Sequence, residues 1–547
     1  MTDTAHEAPG WRAAILAVLV ALIAGASGLF AVPPLDRDES RFVQATTQMV
    51  ETGDYVRVRY QDLERNKKPA GIHWLQAASA QVLGGVGARA VWTYRVPSLI
   101  GMTVAVLATY LTGCLLFGRR PALIGALLLA SAPVVMAEAS IAKTDAALLG
   151  CVAVMQLGLA RAWVGAPGPR AKDTTTPALF WLALAAGVLI KGPIAPMIAA
   201  LTAAGLRATR RDARWLGALK PRLGLAVLAV LVLPWFVAIG FATEGRFYAE
   251  AIGTDMLGKV GEAQESHAGP FGYHALVLWA MFWPAGLFLP VAFVWTATHR
   301  RLPGSAFCLA WALPSWLVFE AAGTKLPHYA MVLYPALALL AGAAVAGTPV
   351  AKWRAWRWAG IGIHAVVGLV AAGGVIYLLA EHQYGGPGIV SFALAGLVAI
   401  GVIVTGAAAR TRPERAAFLA VGTSVLLGWV LFQHALPRLD ELAVTPRLAA
   451  TLDVLDAHPR LDGAPPVALV GYHEPSAVFE LGTETLLTDA ADAADWLRGG
   501  AGRTAVIEAR HWDAFAAAGP AHAEEAVVAG INYSNGDDVR LIVVRAR

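Results

Sequence analysis

The residues best suited to chemistry lie between positions 32 and 76, in the stretch VPPLDRDESRFVQATTQMVETGDYVRVRYQDLERNKKPAGIHWLQ. It opens with the acids Asp36, Asp38 and Glu39 and closes with Lys67 and Lys68. A carboxylate within reach of a hydroxyl can act as a general base, and ammonium groups bind phosphates. The same residues also suit a solvated helix start with acids in its first turn and lysines that meet lipid headgroups. The stretch alone leaves a catalytic and a structural interpretation open.

Separate segments offer a second acid and more cations. Asp145 stands in AKTDA directly before an apolar run, as a second carboxylate of the site or as an acid that caps a helix. Lys325, His328 and Tyr329 lie together in GTKLPHY, a combination that suits a phosphate better than a plain connection between helices. Lys191 in KGP is either another phosphate ligand or a snorkelling lysine at a sharp turn.

Metal and nucleotide chemistry have little support. His267, in ESHAGPF, is a possible metal ligand, but no partner stands at the spacing of a metal site, and a loop histidine is the alternative. The sequence has no GxGxxG after a strand, no Walker loop and no CxxC pair. Cys114, Cys151 and Cys308 fall inside apolar runs and are expected to be small core residues. No cofactor is assigned from these residues.

A membrane protein must position these side chains. Of 547 residues, 57% are hydrophobic and 15% charged, against roughly 25% charged residues in soluble proteins. The apolar runs are continuous, unlike the short alternating strands of an outer-membrane barrel. The net charge of +5 does not indicate nucleic acid, because the cations stand beside the apolar runs. We predict a mainly α, polytopic membrane protein with about thirteen transmembrane helices, at 13–32, 96–117, 121–137, 146–164, 177–190, 194–206, 223–242, 274–297, 304–321, 328–347, 358–380, 388–409 and 416–436.

The charges of the connections predict how the helices cross the bacterial inner membrane. Every second connection is rich in Lys and Arg, from Arg119–Arg120 to residues 410–415, and the positive-inside rule makes those connections cytoplasmic. The N-terminus then lies inside, and the alternate connections, which carry the candidate site residues, lie outside. In the first outside loop, about residues 33–95, a helical pattern over residues 42–50 predicts an amphipathic helix on the membrane surface.

Residues 437–547 change character. Apolar runs of strand length replace the long runs, at Val467–Val470, Ala505–Glu508, Val527–Ile531 and Val539–Val544. Asn535–Gly536 predicts a hairpin turn between the last two. We therefore predict two domains: residues 1–436 form a transmembrane domain whose first periplasmic loop is catalytic, and residues 437–547 form a small periplasmic α/β domain.

Taken together, the motifs resemble those of lipid-linked-sugar glycosyltransferases with the C-type membrane fold. The resemblance covers roughly the first two thirds of the chain. It is closest to the bacterial aminoarabinose transferases that modify lipid A, with the protein O-mannosyltransferases more distant. In order, the motifs are Asp38-Glu39-Ser40-Arg41, Gly53-Asp54-Tyr55, Lys68-Pro69 with Trp74, Arg95-Val96-Pro97-Ser98, Thr144-Asp145-Ala146, Lys191-Gly192-Pro193, Pro234-Trp235-Phe236, His267 with Gly269-Pro270-Phe271, and Lys325-Leu326-Pro327-His328-Tyr329.

The resemblance implies a polyprenyl-phosphate sugar donor, an outward-facing active site and a role for each motif. The implied catalytic carboxylates are Asp38, which leads, and Asp145, with Glu39 as a third candidate. The implied substrate-binding residues are Arg41, Lys67, Lys68, Lys191, Lys325, His328 and Tyr329. Relatives close to the aminoarabinose enzymes carry Glu-Lys-Pro where this chain has Lys67-Lys68-Pro69. That glutamate can share a divalent metal with the loop histidine, which a protonated lysine cannot do, so both a metal and aminoarabinose are in doubt here.

The expected function is transfer of a sugar from a polyprenyl phosphate to a cell-envelope acceptor, such as lipid A, another glycan or a protein. Direct displacement would invert the anomeric carbon, and electrostatic stabilisation of the leaving phosphate would carry most of the rate. One alternative is a polytopic transporter or lipid flippase, a class that usually buries ionisable groups at mid-membrane rather than at one face. A non-catalytic membrane scaffold is a second alternative.

Overall fold

A computed structural model of the protein describes residues 9–34, 37–165, 173–251, 253, 269–349, 351–461 and 463–546. Two of the predicted site residues, Asp36 and His267, lie outside the described residues.

Helices dominate because a chain in lipid must satisfy its backbone hydrogen bonds internally. The helices are α1 Trp11–Gly25, α2 Arg37–Thr52, α3 Gly71–Val82, α4 Val91–Phe117, α5 Arg119–Ala130, α6 Pro133–Ala139, α7 Asp145–Val164, α8 Thr175–Lys191, α9 Ile194–Arg210, α10 Pro221–Ala242, α11 Arg246–Tyr248, α12 Tyr273–Met281, α13 Leu289–His299, α14 Pro303–Ala321, α15 Tyr334–Gly347, α16 Arg354–His382, α17 Ile389–Ala409, α18 Pro413–Gly428, α19 Val444–Val454, α20 Pro475–Leu481, α21 Ala490–Arg498 and α22 Trp512–Ala517. Short 3₁₀ turns occupy Ala26–Gly28, Arg214–Leu219, Ala285–Leu287, Tyr329–Leu333, Leu436–Arg438 and Ala509–His511, and a π-helical turn occupies Trp429–Ala435.

The prediction of a mainly α, polytopic membrane protein is confirmed. In the described ranges, nine helical segments are long and apolar enough to cross a membrane, or ten if α5 and α6, bent by 61°, form one span. The count of about thirteen is not confirmed. One predicted run, 274–297, is divided: α12 ends at Met281 and α13 begins at Leu289, with Pro290 in its first turn. A proline lacks the N–H that would continue a helix.

Small residues let the helices that carry the site approach closely. A Cβ atom on Gly101 of α4 would lie 2.5 Å from the carbonyl oxygen of Ala146, and one on Gly150 of α7 would lie 2.7 Å from that of Gly101. Glycine is therefore required where α4 crosses α7, as in other membrane helix pairs. This contact fixes the first turn of α7, which begins at Asp145.

The helix predicted over residues 42–50 forms as part of α2, and much of it is buried in the protein. Ten of its sixteen residues are buried, including the polar Gln44, Thr46 and Thr47. Helix α20 of the C-terminal part packs on it, and the Phe479 ring there meets the Tyr94 ring at 5.9 Å. Residues distant in sequence therefore cover much of the helix, and its position on the membrane surface stays a prediction.

The C-terminal part, 444–546, is a sheet domain. Its strands are β3 Val467–Val470, β4 Leu486–Thr488, β5 Thr504–Glu508, β6 His522–Ile531 and β7 Asp538–Ala546, in the order β4-β3-β5-β7-β6, while β1 Arg59–Tyr60 and β2 Leu63–Glu64 form a separate hairpin in the first loop. Strands β4, β3 and β5 are parallel, whereas β7 pairs antiparallel with β5 and with the edge strand β6. Alternate residues fill cores on opposite faces, as Val467 and Ala468 illustrate.

Candidate active site

A cluster of buried charged residues lies where α6, α8 and the 3₁₀ turn Tyr329–Leu333 meet the start of α7. We call it the buried cluster, and its members are Glu138, Lys143, Asp145, Lys191 and His328. The side chains are all less than 15% exposed. Charges removed from water are tolerated only when they are paired. Two acids and two lysines balance one another here.

The members of the buried cluster are linked in a chain. Lys191 Nζ lies 2.5 Å from Asp145 Oδ1, and His328 Nε2 lies 3.7 Å from the same oxygen. The other ring nitrogen of His328 lies 3.4 Å from Glu138 Oε1, and Lys143 Nζ approaches that oxygen to 3.8 Å. Residues from four separate segments are thereby held against one another.

Buried side chains clamp the short connection between α6 and α7. Ala142 N donates to Glu39 Oε1 over 2.7 Å, and its carbonyl oxygen accepts from Gln76 Nε2 over 3.0 Å. The Ser98 hydroxyl donates to the Ile141 carbonyl over 2.7 Å. Lys143 and Asp145 are thus presented from a connection that three other segments hold in place.

Glu39 is not in an open position. Arg95 Nε donates to Glu39 Oε1 over 2.7 Å, and Arg95 Nη2 donates to Glu39 Oε2 over 2.8 Å. The side chain of Glu39 is 2% exposed and that of Arg95 is 0% exposed. Arg95 Nη1 donates further to carbonyls that follow α1, those of Gly28, Leu29 and Val32. The pair therefore ties the end of the first transmembrane helix to the first turn of α2.

A more open rim adjoins the buried cluster, formed by Asp38, Arg41, Arg65 and Lys68. Half of the Asp38 side chain, 49%, is exposed, and Arg41 Nη1 lies 3.6 Å from its Oδ1. Arg65 and Lys68 both lie over the Phe42 ring, each 5.3 Å from its centre. The rim therefore offers an acid and three cations on one accessible surface.

The rim and the buried cluster share an electrostatic field. Lys68 and Lys143 each lie close enough to Asp38 and to Asp145 to interact electrostatically with both carboxylates. Burial raises the pKa of Asp38, but Lys68 and Lys143, helped by two arginines, outweigh it and leave that pKa below its ordinary value. Asp38 is therefore an ionised, reachable carboxylate beside cations that suit a phosphate.

The remaining predicted residues lie at different distances from this centre. The Tyr329 ring lies 5.2 Å from Lys191 Nζ and 5.1 Å from the His328 ring, beside the buried cluster. Lys67 is exposed. Lys325 Nζ donates to the carbonyls of Gly269 and Ala322, and no described contact joins it to the rim or the buried cluster.

Two residues at the site were missed by the sequence analysis. Glu138 is 5% exposed, and its second carboxylate oxygen has no hydrogen-bond partner in the described structure. A lone acid in the apolar stretch APVVMAEASIA was the available signal. Arg89 is buried at φ +48°, where it donates to Gln44 Oε1, Glu51 Oε1 and the Phe479 carbonyl over 2.7–2.8 Å. It joins the sheet domain to α2.

A metal centre is not visible in the described residues. No group of three or more His, Cys, Asp and Glu side chains within the described ranges could hold a metal ion. His73, beside Lys68, is 3% exposed, and its Nδ1 lies 2.7 Å from the Thr46 hydroxyl. Burial, with Arg65 and Lys68 adding to it, lowers the pKa of His73 to about 3, so the ring is neutral and structural.

Comparison with known proteins defines the class. Residues 67–237 match the family described as dolichyl-phosphate-mannose-protein mannosyltransferase. Undecaprenyl phosphate-alpha-4-amino-4-deoxy-L-arabinose arabinosyl transferase 2 of Pseudomonas fluorescens (strain Pf0-1) is 27% identical over 78% of this chain and 74% of its own. The arabinosyl transferase of Pectobacterium atrosepticum is 24% identical over 71% of this chain and 70% of its own.

A solved structure extends the likeness to the whole chain. The crystal structure of ArnT from Cupriavidus metallidurans bound to undecaprenyl phosphate superimposes with a TM-score of 0.77 over 99% of both chains, at 19% identity. The chain has the C-type glycosyltransferase fold. The resemblance stated from the sequence motifs is confirmed, and the protein is a multi-pass membrane glycosyltransferase. The transporter or flippase alternative is set aside, because the relatives are transferases.

Proposed function

We propose that this glycosyltransferase moves a sugar from a polyprenyl phosphate to a cell-envelope acceptor at the periplasmic face of a bacterial inner membrane. The observation that carries the proposal is that a half-exposed carboxylate, Asp38, lies beside Arg41 in a rim of cations, next to the buried pair of Asp145 and Lys191. The relatives act, by their names, with undecaprenyl phosphate, and the solved ArnT binds it. The cations of the rim suit the phosphate of such a lipid, and the nearby carboxylate of Asp38 suits an acceptor hydroxyl.

The proposed reaction is a direct displacement. The acceptor oxygen forms a bond to the anomeric carbon as the bond from that carbon to the phosphate oxygen breaks, and polyprenyl phosphate leaves with both electrons. Asp38 orients the acceptor hydroxyl and takes its proton. Lys68, Arg41 and Arg65 neutralise the departing phosphate, which is the electrostatic stabilisation that lowers the barrier. Attack opposite the leaving group inverts the anomeric carbon.

The buried cluster then has a positioning role. Asp145 is held by Lys191, so we propose that it orders that lysine, His328 and Tyr329 along the donor side rather than acting as a base. Glu39, engaged with Arg95, positions the catalytic loop. Lys325 is engaged with two carbonyls and holds the connection after α14.

The proposed topology follows the charges. The site and the sheet domain lie at the periplasmic side, and the N-terminus and the Lys- and Arg-rich connections lie in the cytoplasm. Residues 1–436 form the transmembrane domain, with the first loop of about residues 33–95 as its catalytic part, and residues 437–547 form the periplasmic domain. The direct contacts of Arg89 and Gln61 with the sheet domain support a shared, outward-facing side.

Reconstitution tests the proposal. Purified protein in liposomes, given a polyprenyl-phosphate sugar and an envelope lipid extract, should release polyprenyl phosphate and form a glycosylated product, followed by mass spectrometry. Asp38→Asn should abolish transfer, whereas Arg59→Ala, a change of an arginine in the same loop, should not. Full transfer by Asp38→Asn would overturn the proposed role of that carboxylate.

A further inference from the structure

One buried charged residue, Arg357, lies outside the candidate active site. Arg357, in the first turn of α16, is 8% exposed. Its Nε has no hydrogen-bond partner, and its Nη2 reaches only the Pro349 carbonyl, at 3.5 Å, beyond the usual length of a hydrogen bond. No carboxylate in the described ranges pairs with it. A buried guanidinium needs partners, and the described residues supply only the long contact with the Pro349 carbonyl.

The group faces a cavity that a second unpaired donor also lines. Thr348, directly after α15, is 9% exposed, and its hydroxyl has no hydrogen-bond partner. Arg357 and Thr348 line the same narrow cavity, whose other walls are apolar and include Phe288, Val345 and Ala409. The cavity has room for about one water molecule, so a larger anion would meet the two donors at its mouth.

The cavity lies at the opposite end of the helices from the site. The span Tyr329–Gly347 starts beside His328 and ends at Thr348, roughly 29 Å away at 1.5 Å per residue. Helix α17 ends and α18 begins at the cavity, at Ala409 and Pro413. Arg357 therefore stands among helix ends, at the end of the span opposite His328.

The surroundings of the cavity are positively charged. Exposed cations flank it, namely Lys352, Arg354, Arg410, Arg412 and Arg415. Glu414, the acid in those connections, is paired with Arg120. The counter-charge for Arg357 must therefore come from outside the described chain, and anionic headgroups are attracted to such basic surfaces.

We propose that Arg357 and Thr348 bind the phosphate of an anionic phospholipid in the leaflet opposite the active site. The guanidinium Nε–H and the threonine hydroxyl donate to phosphate oxygens at the cavity mouth, while the acyl chains lie along the apolar helix surfaces. Inorganic phosphate could accept the same hydrogen bonds as the lipid phosphate, but it could not make the apolar contacts of the acyl chains. The site is separate from the proposed transfer reaction, and it stabilises the helix ends rather than the substrate.

Matched variants of the purified full-length protein test the proposal. Arg357→Met keeps the length and apolar packing of the side chain, and Arg354→Met removes an exposed arginine one turn away on the same helix. Each protein is mixed with phosphatidylglycerol, phosphatidylcholine or inorganic phosphate in detergent. Thermal unfolding and native mass spectrometry then report stabilisation and retained lipid.

Phosphatidylglycerol should raise the Tm of the native protein and of Arg354→Met above the phosphatidylcholine value, and this gain should be lost in Arg357→Met. Thr348→Val, which keeps the guanidinium, should lose part of the Tm gain. This variant tests the proposal if Arg357→Met folds poorly. The same gain in Arg357→Met, or no gain in any protein, would overturn the proposal, because water would then satisfy Arg357. A full gain from inorganic phosphate alone would overturn the assignment to a lipid.

Discussion

Arg95 and Glu39 form a buried ion pair in which two parallel hydrogen bonds, of 2.7 and 2.8 Å, engage both carboxylate oxygens. The preceding residue, Asp38, keeps 49% of its side chain exposed. Successive helical residues point about 100° apart, so adjacent acids on α2 face different environments. One acid is committed to holding the fold, and the other is available to a substrate.

The first prediction concerns this pair. Glu39→Ala leaves the Arg95 guanidinium buried without its carboxylate, and we expect it to lower the free energy of unfolding by about 3–5 kcal/mol. Asp38→Ala, at a half-exposed position, should change stability far less. Thermal unfolding in detergent gives the comparison. Equal stability of the two variants would contradict the structural role of Glu39.

The second prediction concerns pH. The pKa of Asp38 lies below its ordinary value of 3.8. A carboxyl with a lowered pKa keeps its charge, and its contribution to stability, until the pH falls through that lowered value. Turnover should therefore show no titration of Asp38 between about pH 5 and 8, the range over which it stays ionised. A step in the pH–rate profile in that range that disappears in Asp38→Glu would contradict it.

The third prediction separates stability from activity at Asp145. Lys191→Met alone removes the lysine that pairs most closely with the buried Asp145 carboxylate, and a loss of about 3–5 kcal/mol is expected. The double variant Asp145→Asn, Lys191→Met removes both charges and should regain most of that stability without regaining transfer. A double-mutant cycle on Tm and turnover measures both quantities. Recovery of transfer in the double variant would show that the pair is structural only.

The fourth prediction concerns Arg89. Because Arg89 bonds both α2 and the Phe479 carbonyl, Arg89→Ala should loosen the sheet domain from the catalytic loop and reduce turnover. We expect faster proteolysis between the membrane helices and the sheet domain in Arg89→Ala. The control Arg59→Ala, in the same loop, should stay within about 0.5 kcal/mol of the native stability. Unchanged proteolysis in Arg89→Ala would show that other contacts are enough to hold the domain.

Local features were predictable from local sequence. The long apolar runs indicated the membrane helices, and runs of strand length placed β3, β5, β6 and β7, with the hairpin at Asn535–Gly536, where Gly536 has φ +81°. Strand β4 was missed because its three residues are too short to show a period. The division of the run 274–297 was missed because an apolar count does not register where prolines interrupt helices.

The sequence by itself determined the class of protein and the side chains at issue, because composition, periodicity and motif order belong to the chain. Only the tertiary structure decided which charges meet. Glu39 pairs with Arg95 across 56 residues, Asp145 with Lys191 across 46, and Lys325 is taken up by carbonyls. A buried charge takes whichever partner helix packing brings within reach, and that packing depends on contacts between distant segments.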